Sequence, residues 1–191
     1  MASRLNVGCG RSPLQGWVNL DSVALPGVDV VADLESCATT RLPFADSSVE
    51  EFLLSHVLEH IRGSLGLMQE LWRIALPDAK MVIRIPYGAS DDAYEDPTHV
   101  RQYFLGSFGF FSQPFYWKAD YGYRGDWQPE RITLLVSKAG HEGMNPEAIL
   151  ERALTLRNVV SEMIAELRCI KPMREPRPEL QTQAAIDIQL V

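Results

Sequence analysis

The sequence predicts an α/β fold: a Rossmann-like, mainly parallel sheet with helices on both faces, then a C-terminal helix and an extended tail. Three observations predict it. Brief apolar runs bounded by turn residues recur through the N-terminal half. A glycine loop, Gly8-Cys9-Gly10, follows the first run directly, and helically spaced apolar residues separate the fourth run from the fifth. Runs of this kind are the pattern of buried parallel strands alternating with crossovers.

The runs are Leu5 to Val7, Trp17 to Leu20 ending at Asp21, Val28 to Ala32 ending at Asp33, Phe52 to Leu54 ending at Ser55 and His56, and Met81 to Ile85 ending at Pro86. Between the last two, Leu67, Met68, Leu71, Trp72 and Ala75 recur at helical spacing. Pro77-Asp78 is the turn into the fifth strand. Only ten residues, Arg11 to Leu20, separate Gly10 from Asp21. A crossover helix plus the next strand takes about 20, so the first crossover is expected to be a turn or a single helical turn.

Residues 1–140 are expected to form the main domain, with 87–127 as an aromatic lid or insert ahead of the apolar run Ile132 to Val136. The insert reads equally well as a second, aromatic core, and the two are compatible. Residues 141–191 are expected to be a helix and tail. Asn145-Pro146-Glu147 supplies a cap, a proline at the first helical position and an early acid. Ile149, Ala153, Leu156, Val160, Met163, Leu167 and Ile170 then recur at four- and three-residue steps, so one helix is expected to run on to Pro172. That seam packs on the domain or supports homo-oligomerisation through residues 146–191. Ile186 to Leu190 alternates like an edge strand.

The chain has 191 residues, 25 acidic against 18 basic, for a net charge of −7. That surface disfavours long nucleic acid as a partner. The basic stretch Arg168, Lys171, Arg174 and Arg177 is interrupted by Glu175 and reads as a solvated segment. No apolar run approaches the ~20 residues of a membrane helix, and the first residues carry no signal-peptide pattern, so the expected location is cytoplasmic. Cys9, Cys37 and Cys169 form neither a disulfide pattern nor metal-ligand spacing and are expected to be free thiols.

In parallel sheets ligands sit at the carboxyl ends of the strands. Gly8-Cys9-Gly10 lets a ligand approach the backbone closely. Pro13 stands where G-x-G-x-x-G requires its third glycine, and no phosphate-loop motif is present, so a pyrophosphate cofactor is disfavoured. A glycine loop with an acid ending the second strand remains, and a carboxylate there can accept two hydrogen bonds from a ribose diol.

These residues resemble the opening of class I S-adenosylmethionine-dependent methyltransferases, most closely a compact bacterial and phage subgroup with a shortened first crossover. The resemblance rests on Leu5 to Gly10, Gly16 to Asp21, Leu42 to Ser48, Ser55 to Ile61 and Glu70 to Ile74, and spans about residues 4–100. It implies S-adenosylmethionine as cofactor. Asn6, Gly8, Cys9 and Gly10 would line the methionine moiety and sugar, Asp21 would hold the ribose hydroxyls, and Asp33 and Leu34 would bracket the adenine. Ser55 and His56 would lie under the sulfonium. Asn6 stands where many members have an acid, and Ser12 where a third glycine is common. The acceptor is expected to be a small molecule or glycan. His99 and then His56 are the candidate catalytic bases, with Glu59 and Tyr94 behind them.

Two other readings exist. A non-catalytic scaffold would keep the fold and assemble through its C-terminal helix. A zinc hydrolase would use His56-Val57-Leu58-Glu59-His60, an H-x-x-E-H motif that needs both histidines on one helix face. The sequence identifies no third ligand, and no metal ligands are assigned.

Overall fold

The computed structural model describes residues 3–191. Eight strands form one sheet in the order β3-β2-β1-β4-β5-β7-β6-β8. They are β1 (Ser3–Val7), β2 (Val18–Asp21), β3 (Val30–Val31), β4 (Val49–Ser55), β5 (Ala75–Pro86), β6 (Trp127–Val136), β7 (Val160–Cys169) and β8 (Ala185–Leu190). β1 to β5 are parallel neighbours, β7 runs antiparallel between β5 and β6, and β8 lies parallel to β6 at the edge. The helices are α1 (Ser64–Ile74), α2 (Asp92–Glu95) and α3 (Pro146–Thr155). All five expected N-terminal strands are present, and the kink expected at Pro77-Asp78 falls on Asp78, at φ +60° within β5.

Coverage of the two sheet faces is unequal. Leu5, Val7, Phe52, Leu54, Met81, Ile83 and Ile85 are buried on one side. The alternating Glu51, Leu53, Val82 and Arg84 on the other are half-buried or exposed. The cause lies in the short connections: residues 11–17 and 22–29 contain no helix. The Asn6–Asn19 side chains, which stand on the thinner side, tie the first connection down instead.

The segment resembling Leu42–Ser48 and the one resembling Glu70–Ile74 are in contact. The Glu70 carboxylate accepts from Leu42 N at 2.7 Å. Arg73 donates to Glu70 at 2.6 and 2.8 Å, to the Phe44 carbonyl at 3.0 Å and to Asp46. One turn of α1 therefore holds the approach to β4.

Residues 87–127 extend the core of the sheet rather than forming a separate one. Tyr103, Phe108, Phe111, Tyr116, Tyr123 and Trp127 are buried, and Trp127 meets Phe52 edge-on at 5.5 Å. Tyr94, Phe104, Phe110, Trp117 and Tyr121 remain exposed.

The expected helix from Asn145 to Pro172 is overturned. Asn145 caps α3 as anticipated, accepting from Ala148 N at 2.8 Å, but the helix ends at Thr155. Asn158 turns the chain at φ +61°, and its Oδ1 accepts from Asp91 N at 2.8 Å. β7 follows. Met163, Ala165, Leu167 and Cys169 point into the core while Ile164, Glu166 and Arg168 alternate outward. Met163 and Leu167 fit a four-residue step and a two-residue period equally; pairing with β5 and β6 decides for the strand. The continuous helical seam is therefore absent. The alternation read in Ile186–Leu190 is realised as β8, on this chain's own sheet.

The basic stretch expected to be solvated is largely engaged. Arg168 pairs with Asp78 and Glu130. Lys171 donates to the Arg73 and Ala75 carbonyls at 3.0 and 2.6 Å and lies over Trp72. Arg174 makes two 2.8 Å hydrogen bonds to Asp126, which is 0% exposed and also accepts from Gln113 N and Arg174 N. This pair fastens the tail to the aromatic insert. Removing Arg174 strands a buried charge, so Arg174→Ala is expected to cost about 3–5 kcal/mol in urea denaturation. Arg131→Ala, which breaks exposed pairs with Glu166 and Asp187, is expected to cost under about 1 kcal/mol.

Candidate active site

The sheet order reverses between β1 and β4, and a doubly wound sheet opens a crevice there, beyond the strand ends. Two loops meet at that point. Gly8 and Gly10 both have positive φ, +67° and +52°. A Cβ on Gly8 would stand 2.5 Å from a Val57 methyl, so the β1 loop rests directly on the loop after β4. A Cβ on Gly10 would meet nothing within 4 Å, so its backbone faces open space.

Asp21, at the end of β2, holds this loop. Its Oδ2 accepts from Gly10 N at 2.8 Å and its Oδ1 from Val23 N at 3.0 Å. A carboxylate has about four acceptor positions, so lone pairs remain on both oxygens. Cys9 is buried in the same loop, its N–H on the Leu20 carbonyl at 3.0 Å. Burial first, and the Asp21 charge second, push its thiol pKa up. All three cysteines are free, as expected.

Asn6 supports the loop from below through its amide nitrogen. It is buried, and its amide donates to the Ser12 carbonyl at 3.2 Å and to Asn19 Oδ1 at 3.0 Å. Asn19 accepts from Leu14 N at 2.7 Å and donates to Asp29 at 3.2 Å. Asp33 lies exposed after β3 and caps the turn Leu34–Ala38 by accepting from Glu35 N, while Leu34 is buried. Ser55 is half-buried at the end of β4.

His56 follows at φ +54°, a strained backbone position for a non-glycine residue. Its Nδ1 lies 3.4 Å from Glu59 Oε1 and its Nε2 3.3 Å from Glu162 Oε1. Glu162, on β7, also takes two hydrogen bonds from Arg84 at 2.7 and 2.8 Å. The Glu59 carboxylate raises the His56 pKa against the opposing effect of burial. For Glu162 burial works upward, but Arg84 and His56 outweigh it and the pKa falls. Sequence reasoning missed Arg84 and Glu162. The first lies inside a strand, and the second within the stretch read as helix.

His99 sits on the loop after α2, its side chain 9% exposed. Its ring meets that of His60 edge-on, centroids 4.8 Å apart. The sequence puts His56 at the end of the fourth strand and His99 after the fifth; in the structure Glu59 lies between them, near His56 on one side and grouped with His60 and His99 on the other. The zinc-hydrolase geometry is not formed: His56 ends a strand loop, and only Leu58–His60 makes a helical turn, so no helix presents His56 and His60 on one face. Two residues past His99 begins a cleft of ≈ 510 Å³ lined by Arg101, Tyr103, Phe110, Tyr116, Tyr121 and the start of α1.

The sheet order and the crevice define a Rossmann-like α/β fold with a ligand crevice at the switch point. The chain is similar to a SAM-dependent methyltransferase from Archaeoglobus fulgidus, with TM-score 0.60 and 16% identity over 87% of this chain and 86% of that one. The YcgJ protein of Bacillus subtilis gives TM-score 0.56 at 15% identity, over 89% and 93% of the two chains. The [4+2]-cyclase SpnF gives 0.54 at 13%, over 88% and 76%. These likenesses establish the fold, and the cyclase shows that this fold hosts more than one reaction. No protein-family model and no curated protein matches the sequence. Among the described residues no helix is long and apolar enough to cross a membrane.

Gly8→Ala combines positive φ with a clash and is expected to cost about 2–4 kcal/mol. Gly10→Ala, with open space around it, is expected to cost about 1 kcal/mol. Chemical denaturation of the two variants separates these effects.

Proposed function

We propose that this chain is a class I S-adenosylmethionine-dependent methyltransferase of the compact type with a shortened first crossover, acting on a small-molecule or glycan-type acceptor. One observation carries the proposal. At the switch point an open glycine backbone lies beside an aspartate whose carboxylate is held in place yet keeps free lone pairs. That arrangement fits a nucleoside with a ribose diol.

In this reading Gly8, Cys9 and Gly10 form the floor under the sugar and methionine moiety, and Asp21 holds the diol. Asp33 and Leu34 flank the adenine. Asn6 shapes the loop through Ser12 and Asn19. Ser55 and His56 face the reacting end. The cofactor supplies an electrophilic methyl group, so the protein's work is to align an acceptor and receive a proton. His99, on the loop after α2, and His56, after β4, are the candidates for that work. The exposed faces of Tyr121 and Phe110 in the neighbouring cleft suit stacking on a sugar or ring. The β8 edge is the part of 146–191 available for self-association.

S-adenosylhomocysteine at a hundredfold excess over its Kd is expected to raise Tm by about 5–10 °C. Asp21→Ala should abolish the rise, and Gly10→Ala should weaken it while lowering the unliganded Tm by only about 2–4 °C. No shift at millimolar ligand would favour a non-catalytic scaffold.

A further inference from the structure

Beside the crevice, above the ends of β4 and β5, two buried polar groups lack hydrogen bonds, and among the described residues the only cation near either is the His56 imidazole. Glu59 is 2% exposed, and neither carboxylate oxygen has a hydrogen bond. His99 Nδ1 is buried and equally without one. An ionised carboxylate left this way is costly unless a cation compensates it. His56, at 3.4 Å, is half-exposed and shared with Glu162. We propose that Glu59, His60 and His99 form a binding site for one divalent transition-metal ion.

The donors are already assembled. One donor atom from each residue lies within 4.8 Å of the other two. At metal–ligand bonds of ~2.0–2.1 Å tetrahedral donors stand roughly 3.3 Å apart, so binding contracts the triangle through side-chain rotation. The loop after α2 supplies a supporting layer. Thr98 Oγ1 donates to Asp96 Oδ1 at 2.6 Å, so at 2.9 Å it offers a lone pair to His60 Nδ1. His60 Nδ1 must then carry the proton, which leaves Nε2 as a free donor for a metal. Asp96 Oδ2 lies 4.0 Å from His99 Nε2, on the far side of that ring from the orphaned Nδ1. Asp96 therefore orients the His60 imidazole through Thr98, an outer-layer arrangement that fixes the tautomer of a metal-binding histidine, while its approach to His99 is longer than a hydrogen bond.

Two imidazoles and one carboxylate suit zinc, cobalt, iron or manganese better than calcium or magnesium. Three protein ligands leave a coordination position open. If the methyltransferase reading holds, that position is where an acceptor oxygen would be oriented, and with His99 on the metal the proton would pass to His56. Metal binding itself does not rest on that reading.

The test uses the full chain without an affinity tag. Cobalt(II) titration is expected to give visible d–d absorption and one ion per chain by calorimetry, and zinc should displace the cobalt. His60→Ala and His99→Ala should each abolish the absorption. Thr98→Ala, an exposed change that spares the fold, should weaken binding about 10–100-fold. S-adenosylhomocysteine should still raise Tm in His99→Ala, so failure of the metal site and failure of the cofactor site are read separately. No cobalt binding at millimolar ion, or binding undiminished in a folded His60→Ala/His99→Ala double variant, overturns the proposal.

Discussion

The contact between Gly8 and Val57 is the constraint on which the site depends. It joins the loop after β1 to the loop after β4, and only a residue without Cβ allows that distance. Gly8 leads into Gly10 and its bond to Asp21. Val57 leads into the turn that carries Glu59 and His60. The crevice and the histidine–glutamate cluster therefore have a fixed separation that neither loop alone determines. Packing between two short loops does the work that a longer chain would assign to helices.

The economy of the first crossover has a cost. A helix between β1 and β2 would cover the second face of the sheet and satisfy its own backbone. Here Asn6, Asn19 and Asp29 satisfy a helix-free loop with side chains: the Asn19 amide serves the Leu14 and Trp17 carbonyls, and the Asn6 amide serves that of Ser12. The face left thin is polar. It carries Arg84 with Glu162 and Arg131 with Glu166 and Asp187, paired across strands. Cross-strand ion pairs contribute little to stability at this exposure, but they keep an open sheet face from presenting an apolar surface.

Much of the parallel half of the sheet was legible because its signals are local. Apolar runs ending at Gly8, Asp21 and Ser55 mark strand ends by themselves, and Asn145-Pro146 marks a helix start. The rest depends on partners distant in sequence. Met163 and Leu167 satisfy both a helical and a strand period, and only β5 and β6 on either side choose between them. Nothing within the H-x-x-E-H motif shows that His99 folds back over His60. Arg174 looked solvated because its acid, Asp126, lies 48 residues earlier in the chain.

Glu162 shows how core packing specifies the polar site. In β7 it opposes Pro86 and Leu135, and its neighbour Met163 is fully buried opposite Ile85 and Leu134. A slip of one residue would turn Met163, Ala165 and Leu167 out to the thin face and carry the Glu162 carboxylate into the core. The apolar alternation thus pins the register. The register in turn sets Glu162 between Arg84 and His56, and His56 against Glu59. The orientation of a histidine at the end of β4 is decided by hydrophobic residues on a strand more than 100 residues later in the chain.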